Sequence, residues 1–203
     1  MKVEISPKPG QLDRLVVTLD QEPWRELHVA VHGRHPKLPA CTERSAWETL
    51  FADYEYKRAK HYLLRRLQAQ SYHSVLLRTL LIDRLISPTL VARLLQEAND
   101  WGLLDDQAWL DSFMRSQKKR RGLPLILAKL RLKGFNNEQL QKLQEEYADP
   151  QADEGAIRHL LKTKYRSKDL SQYAIKQKVI ASLMRRGYAY TTIQNAMKTG
   201  ILD

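Results

Sequence analysis

The stretches SVLLRTLLIDRLISPTL (residues 74–90), PLILAKLRLKGFNNEQL (124–140) and QKVIASLMRRGYAYTTI (177–193) decide how the chain reads, because one apolar spacing returns in all three. Leu76, Leu77, Leu80 and Leu90 of the first recur as Ile126, Leu127, Leu130 and Leu140, then as Val179, Ile180, Leu183 and Ile193, at offsets of 50 and 53 residues. Positions i, i+1 and i+4 share one face of an α-helix, and the fourth apolar residue falls on a following helix. Between the two helices lie Lys133-Gly134-Phe135 and Arg186-Gly187-Tyr188. Glycine there suits a left-handed helix C-cap, and the aromatic residue after it can pack back onto the helix just ended. The first copy has Asp83, Arg84 and Leu85 at this point and so has no glycine. Ser87 before Pro88, and Asn137 in the second copy, are suitable N-caps; the third copy has no comparable signal. A helix also precedes each set, around 54–69, 106–118 and 154–165, so each repeat reads as a three-helix unit.

Residues 12–36 behave differently. Leu15, Val16, Val17 and Leu19 form a β-branched run, and Leu27, Val29 and Val31 alternate at period two. With DQEPW (20–24) as the turn, this is a small β-hairpin, followed by a loop through Gly33, Pro36 and Pro39. The expected fold is therefore mostly α. A β-hairpin or extended segment (1–45) leads into three tandem helix-turn-helix-like repeats (46–104, 105–150 and 151–203). Units that bury apolar faces on themselves and their neighbours are expected to stack into an elongated, curved body able to follow a long partner.

The 203 residues are 43% hydrophobic, enough for a packed core without covalent staples. A single cysteine, Cys41, rules out a disulfide framework and suits a reducing compartment. The N-terminus MKVEISPKPG has no apolar core of a secretory signal, and no uninterrupted apolar run is long enough to span a membrane, so a cytoplasmic protein with no membrane partner is expected. Thirty-four Lys and Arg stand against 23 Asp and Glu, a formal net charge of +11. Residues 1–106 are nearly balanced. The surplus sits in 107–134, where Asp111 is the one acid among eight cations, and in 156–203, with ten cations against two acids; residues 135–155 run the other way. One charge run is usually a solvated face, but two separated basic blocks on related units point to a polyanionic partner.

The densest cluster is Arg115, Lys118, Lys119, Arg120 and Arg121, extended along the next helix by Lys129, Arg131 and Lys133. Lys176, Lys178, Arg185 and Arg186 hold comparable positions in the third repeat. These groups suit phosphates or an acidic protein surface, and phosphate contacts would make binding strongly salt-dependent. Tyr188 and Tyr190 are placed to stack on bases, although aromatic residues at helix junctions are more often core. Catalytic chemistry finds little support. Asp105 and Asp106 read as N-cap and first-turn acids, and no Walker-type loop or nucleophile elbow is present. His28 and His32 would share a strand face near His35 and Cys41, but no dense ligand motif follows, so neither metal nor cofactor is expected.

The block GLLDDQAWLDSFMRSQKKRRGLPLILAKLRLKGF (102–135) resembles the most recognisable stretch of the RecX family, bacterial regulators of RecA. It has the Gly-Leu-hydrophobic-Asp-Asp start, an aromatic-bearing helix, an Arg-Ser then basic run, and a helix ending in Lys-Gly. KQKVIASLMRRGYAYTTIQNAM (176–197) is similar to the family's third repeat, including the Arg-Gly-Tyr turn. The likeness covers the chain from about residue 54. It departs in the first repeat, where Arg84 stands in place of the turn glycine and SYHSVLLRTLL matches loosely.

The resemblance implies three tandem three-helix repeats after a short β segment, and a non-enzymatic, cytoplasmic, monomeric regulator. Such a protein would lie in the groove of the RecA filament on single-stranded DNA, lowering RecA's ATP hydrolysis, filament extension and strand exchange. It would thereby modulate homologous recombination, DNA repair and the SOS response, with double-stranded DNA as a further partner to consider. The alternative is an independent helix-turn-helix protein reading duplex DNA. Against it, residues 136–147 are Gln- and Glu-rich with only Lys142 basic, which would repel phosphate.

Overall fold

A computed structural model describes residues 1–199 and divides the chain into two compact units, residues 1–106 and 107 onward. In the first unit β1 (Val3–Lys8), β2 (Gln11–Leu19) and β3 (Glu22–His28) form an antiparallel sheet in the order β1-β2-β3. The expected hairpin is present as β2 and β3, and β1 adds an edge strand. Its Pro7 and Pro9 hid it in the sequence, but proline is tolerated where one side of the strand needs no ladder partner. The β2–β3 turn is narrower than DQEPW: Asp20 and Gln21 alone take positive φ (49° and 72°), and Pro23 already lies in β3, where the pairing shifts register.

The strand does not continue through Val29 and Val31. Both belong to a helical turn, α1 (Val29–His32), started by His28, whose Nδ1 accepts the Ala30 N–H at 3.0 Å. His28 and His32 therefore do not share a strand face. Among the described residues no three His, Cys, Asp or Glu side chains come together as a metal-binding group.

Helix α2 (Arg44–Ala69) begins ten residues before the expected 54. Its first turns cover the sheet: Leu15, Val17, Leu19 and Leu27 pack with Trp47 and Phe51, and the Trp47 indole donates to the Pro39 carbonyl at 2.8 Å. Arg25 of β3 locks the layers by donating to both carboxylate oxygens of buried Glu55 at 2.7 and 3.1 Å. A fork of this kind holds strand and helix in one register, because breaking it would leave a buried carboxylate unpartnered.

Helices α3 (Ser74–Asp83) and α4 (Pro88–Asp100) complete the first unit. The second unit contains α5 (Asp106–Lys118), α6 (Leu123–Leu132), α7 (Asn137–Tyr147), α8 (Pro150–Thr163), α9 (Tyr173–Met184) and α10 (Tyr190–Thr199); α5 starts on the last residue of the first. The repeat is real, but the first copy sits one residue away from the expected register. Leu85, Gly134 and Gly187 have φ of 63°, 98° and 88°, so Leu85, not Arg84, occupies the glycine position, at an offset of 49 from Gly134. The hydrogen bonds agree. The N–H of Ile86, Phe135 and Tyr188 each returns to the carbonyl of Leu81, Leu130 and Leu183, the closing bond of a left-handed C-cap.

In this register the buried positions are Leu77, Leu81, Ile86 and Val91; Ile126, Leu130, Phe135 and Leu140; and Val179, Leu183, Tyr188 and Ile193. Leu76, Leu80 and Leu90, which the sequence pattern favoured, are only partly buried. A leucine run offers two adjacent periodic frames, and only packing selects one. The second-copy N-cap is likewise Asn136, whose side chain accepts the Gln139 N–H while Gln139 caps back; Asn137 is the first helical residue.

Two glycines bring α6 and α9 into backbone contact. The Gly122 N–H donates to the Arg186 carbonyl at 2.9 Å, and a Cβ on Gly122 would fall 2.2 Å from the Gly187 carbonyl oxygen. A Cβ on Gly187 would meet that of Leu125 at 2.6 Å in a backbone conformation that already disfavours side chains. Gly187→Ala is expected to destabilise the second unit by about 2 kcal/mol or more, whereas Leu85→Gly, which relieves the same strain but removes half-buried leucine contacts, stays within about 1 kcal/mol of the parent. Urea unfolding followed by circular dichroism checks both.

Three histidines of the first unit give it a pH dependence. Burial holds His28, His32 and His73 below the usual imidazole range, His32 at about 4, and Nδ1 of both His28 and His73 accepts a helix-starting N–H, which the protonated ring cannot do. With folded values depressed, the unfolded chain takes up more protons below pH 6.5, so stability is full above that pH and falls on acidification. His32 alone would remove about 3 kcal/mol between pH 6.5 and 4. Its Nδ1 has no partner and its ring stacks on Tyr54. His32→Phe is therefore expected to flatten the pH profile of the unfolding midpoint without loss at pH 7.5.

Candidate functional site

The central basic cluster lies where α5 ends and turns into α6. Arg115 and Lys118 are in the last turn of α5, where cations meet the negative end of the helix dipole. Together with Lys119 they face α8 across a groove of about 570 Å³ whose other walls are Ala152, Ala156 and His159. The small alanines let α8 present an apolar floor, and the cations rim it. Lys118 is the most fixed of them: its ammonium donates to the Tyr147 carbonyl at 2.5 Å and lies 5.7 Å from that ring's centroid. Asp153 sits nearby, half-buried, its carboxyl pushed up by burial against the opposing pull of Lys118.

The other expected site residues are placed less uniformly. Arg121 turns back onto Gln117 of its own helix end. Arg120 and Arg186 meet at the α6–α9 contact, where the Arg186 guanidinium donates to the Arg120 carbonyl at 3.0 Å. Arg131 reaches Asn137 Oδ1 at 3.1 Å across the α6–α7 turn, and Lys133 is the exposed C-cap of α6. Lys129 is half-buried, Lys176 half-buried and Lys178 exposed on α9, and Arg185 exposed at the C-cap of α9. The groove thus gathers Arg115, Lys118 and Lys119, and not the remaining cations.

Several cations of the first unit are paired with carboxylates. There Lys8 and Arg14 share Glu26, Lys60 and Arg93 share Glu97, and Arg25 has Glu55. Among the described residues, none of the expected site cations of the second unit is ion-paired to a carboxylate. An unneutralised cation on a structured surface keeps its full field for a partner.

Tyr188 is core, 3% exposed, its phenol pushed up to about 12 chiefly by burial, so it cannot stack on a base; Tyr190 remains exposed. On α7 Glu145 and Glu146 are exposed and Lys142 is paired with Glu138 at 2.8 Å, which leaves the helix after the second-copy turn acidic. Neither His159 of the groove nor Asp153 beside it stands out in the sequence. Ala152, Ala156 and His159 at i, i+4 and i+7 are the signal that α8 offers one narrow face, but nothing local says that α5 lies opposite.

Residues 152–197 match the family model described as RecX, third three-helix domain. The chain is similar to regulatory protein RecX of Bacillus subtilis, 26% identical over 113 residues, covering 55% of this chain and 43% of that protein. Regulatory protein RecX of Bacillus licheniformis is 22% identical over 115 residues, 56% of this chain and 44% of that one. The matched part thus spans less than half the length of these relatives. A crystal structure of regulatory protein RecX has a TM-score of 0.56 at 18% identity, covering 96% of this chain and 98% of that one. RecX from Lactobacillus salivarius has 0.59 at 17% identity, covering 73% and 97%. At such identities the likeness to solved structures is one of fold.

Proposed function

We infer, from a chain that is RecX-like in its third three-helix unit, in its central and C-terminal motifs and in its fold, that it regulates RecA. In this reading it binds the RecA filament on single-stranded DNA and lowers filament extension, ATP hydrolysis and strand exchange, with no catalysis of its own. It acts as a cytoplasmic monomer in recombination and repair, and the segments 1–45, 46–104, 105–150 and 151–203 are its working parts. Among the described residues no helix is long and apolar enough to cross a membrane.

The observation that carries the reading is the groove rimmed by Arg115, Lys118 and Lys119, none of which forms a salt bridge with a carboxylate among the described residues, although Asp153 lies within electrostatic reach of Lys118. Such a rim attracts phosphate or an acidic protein face, and the second basic block, including Lys176, Lys178, Arg185 and Arg186, extends the attraction along the third repeat. Unneutralised cations also steer encounter at long range, which favours capture of a dilute filament end.

The test is the DNA-dependent ATPase of the cognate RecA on single-stranded DNA, with this protein titrated far below the RecA concentration. Inhibition at such ratios is expected. Reversing Lys118, Lys119, Arg120 and Arg121 to glutamate should weaken inhibition at least tenfold at moderate salt, and removing the Arg115, Lys118 and Lys119 charges should flatten the salt dependence of single-stranded DNA binding by about 2 in log–log slope. Unchanged inhibition by the charge-reversed protein would exclude the central face. A preferred duplex site with no effect on RecA would favour independent helix-turn-helix binding, against which the acidic α7 already weighs.

A further inference from the structure

A second pocket, of about 350 Å³, opens in the second unit between the C-terminal half of α8, the connection 164–172 and the end of α10. Leu161, Leu170 and Met197 line it apolarly, and Arg158, Lys162, Arg166 and Lys168 stand around them. Arg158 is paired with Glu154 at 3.6 Å, but Lys162, Arg166 and Lys168 are exposed and have no carboxylate partner among the described residues. The one acid beside them in sequence, Asp169, is turned away: its carboxylate accepts from the Ser171 N–H and hydroxyl and from the Gln172 side chain. An apolar socket thus sits beside three cations, Lys162, Arg166 and Lys168, that pair with no carboxylate among the described residues.

We propose that this pocket docks an acidic peptide segment of a protein partner, with one apolar side chain inserted over Leu161, Leu170 and Met197 and flanking carboxylates met by Lys162, Arg166 and Lys168. A buried apolar anchor supplies affinity and the charged rim supplies orientation, the usual division within a small interface. Nucleic acid fits less well. Single-stranded nucleic acid is held by bases stacked on open aromatic faces, and the ring here, Tyr165, is 7% exposed. Its hydroxyl is shared with Ser182 at 2.8 Å, and the Lys164 ammonium lies 5.6 Å from its centroid. What the pocket offers is aliphatic surface, which takes a leucine or phenylalanine side chain. The proposal goes beyond RecA regulation through the α5–α8 groove and does not depend on that groove binding DNA.

Fluorescence anisotropy of the full chain decides it, with a labelled short synthetic peptide rich in glutamate and aspartate and bearing a central phenylalanine. Saturable binding is expected, falling about tenfold or more when serine replaces the phenylalanine, since a fully buried aromatic side chain supplies at least that factor. Lys162→Glu, Arg166→Glu and Lys168→Glu together should weaken the peptide at least tenfold, and Leu170→Ser should abolish the difference between the two peptides. Unfolding midpoints equal to the parent's show that these variants are folded. Charge reversal at Lys118 and Lys119 should leave peptide binding unchanged, which separates this pocket from the groove. Equal binding of the two peptides by the parent protein overturns the proposal. So does a triple variant that loses an oligothymidylate as strongly as the peptide, which would make the pocket a phosphate site.

Discussion

Gly122 and Gly187 bring two polypeptide backbones together with no room for a single Cβ between them. The consequences spread outward from this contact. Gly187 is also the left-handed C-cap of α9, so the residue that ends one helix is the residue that admits the start of α6. Tyr188 is thereby driven back into the core beneath α9, and Arg186, the residue before Gly187, is turned toward the Arg120 carbonyl. The ends of the basic cluster are set by close backbone packing and not by attraction among the cations themselves, which repel. Like charges can be held side by side only on a frame whose stability comes from elsewhere.

The same logic explains why the two units treat charge differently. In the first, carboxylates are spent inside the fold: Glu55 fixes sheet to helix, Glu26 gathers Lys8 and Arg14, and Glu97 gathers Lys60, Arg93 and the Tyr56 hydroxyl. In the second, several acidic residues serve local roles, Asp149 as the N-cap of α8, Asp169 in its own turn, Glu138 with Lys142, while Asp111 takes the Tyr147 hydroxyl. Arg115, Lys118, Lys119, Lys162, Arg166 and Lys168 are left to the exterior. A fold that satisfies its acids locally exports its positive charge, and two different concave surfaces of the second unit receive it.

Much of this was legible beforehand. The apolar repeat identifies the helices, the expected span 106–118 coincides with α5, and the Lys-Gly-Phe and Arg-Gly-Tyr turns mark C-caps that the structure closes with the expected hydrogen bonds. The RecX resemblance rested on the same residues. Sequence and structure part where two local arrangements are equivalent. Leucine-rich SVLLRTLLID supports two frames one residue apart, and Leu85 hid the turn because a non-glycine residue rarely takes positive φ. Val29 and Val31 alternate like a strand, yet the buried His28 ring caps a helical turn there.

By itself, then, the sequence determined the helical units, their turns and the placement of surplus charge, because periodicity, capping and composition are local properties of the chain. Only the tertiary structure decided which cations share a surface. Lys118 and His159 are far apart in sequence, and Lys162 and Met197 likewise, yet each pair lines one concave surface, because α8 borders α5 at one groove and packs against α10 at the other. A groove is a property of two elements and the distance between them, and no spacing within either one encodes that distance.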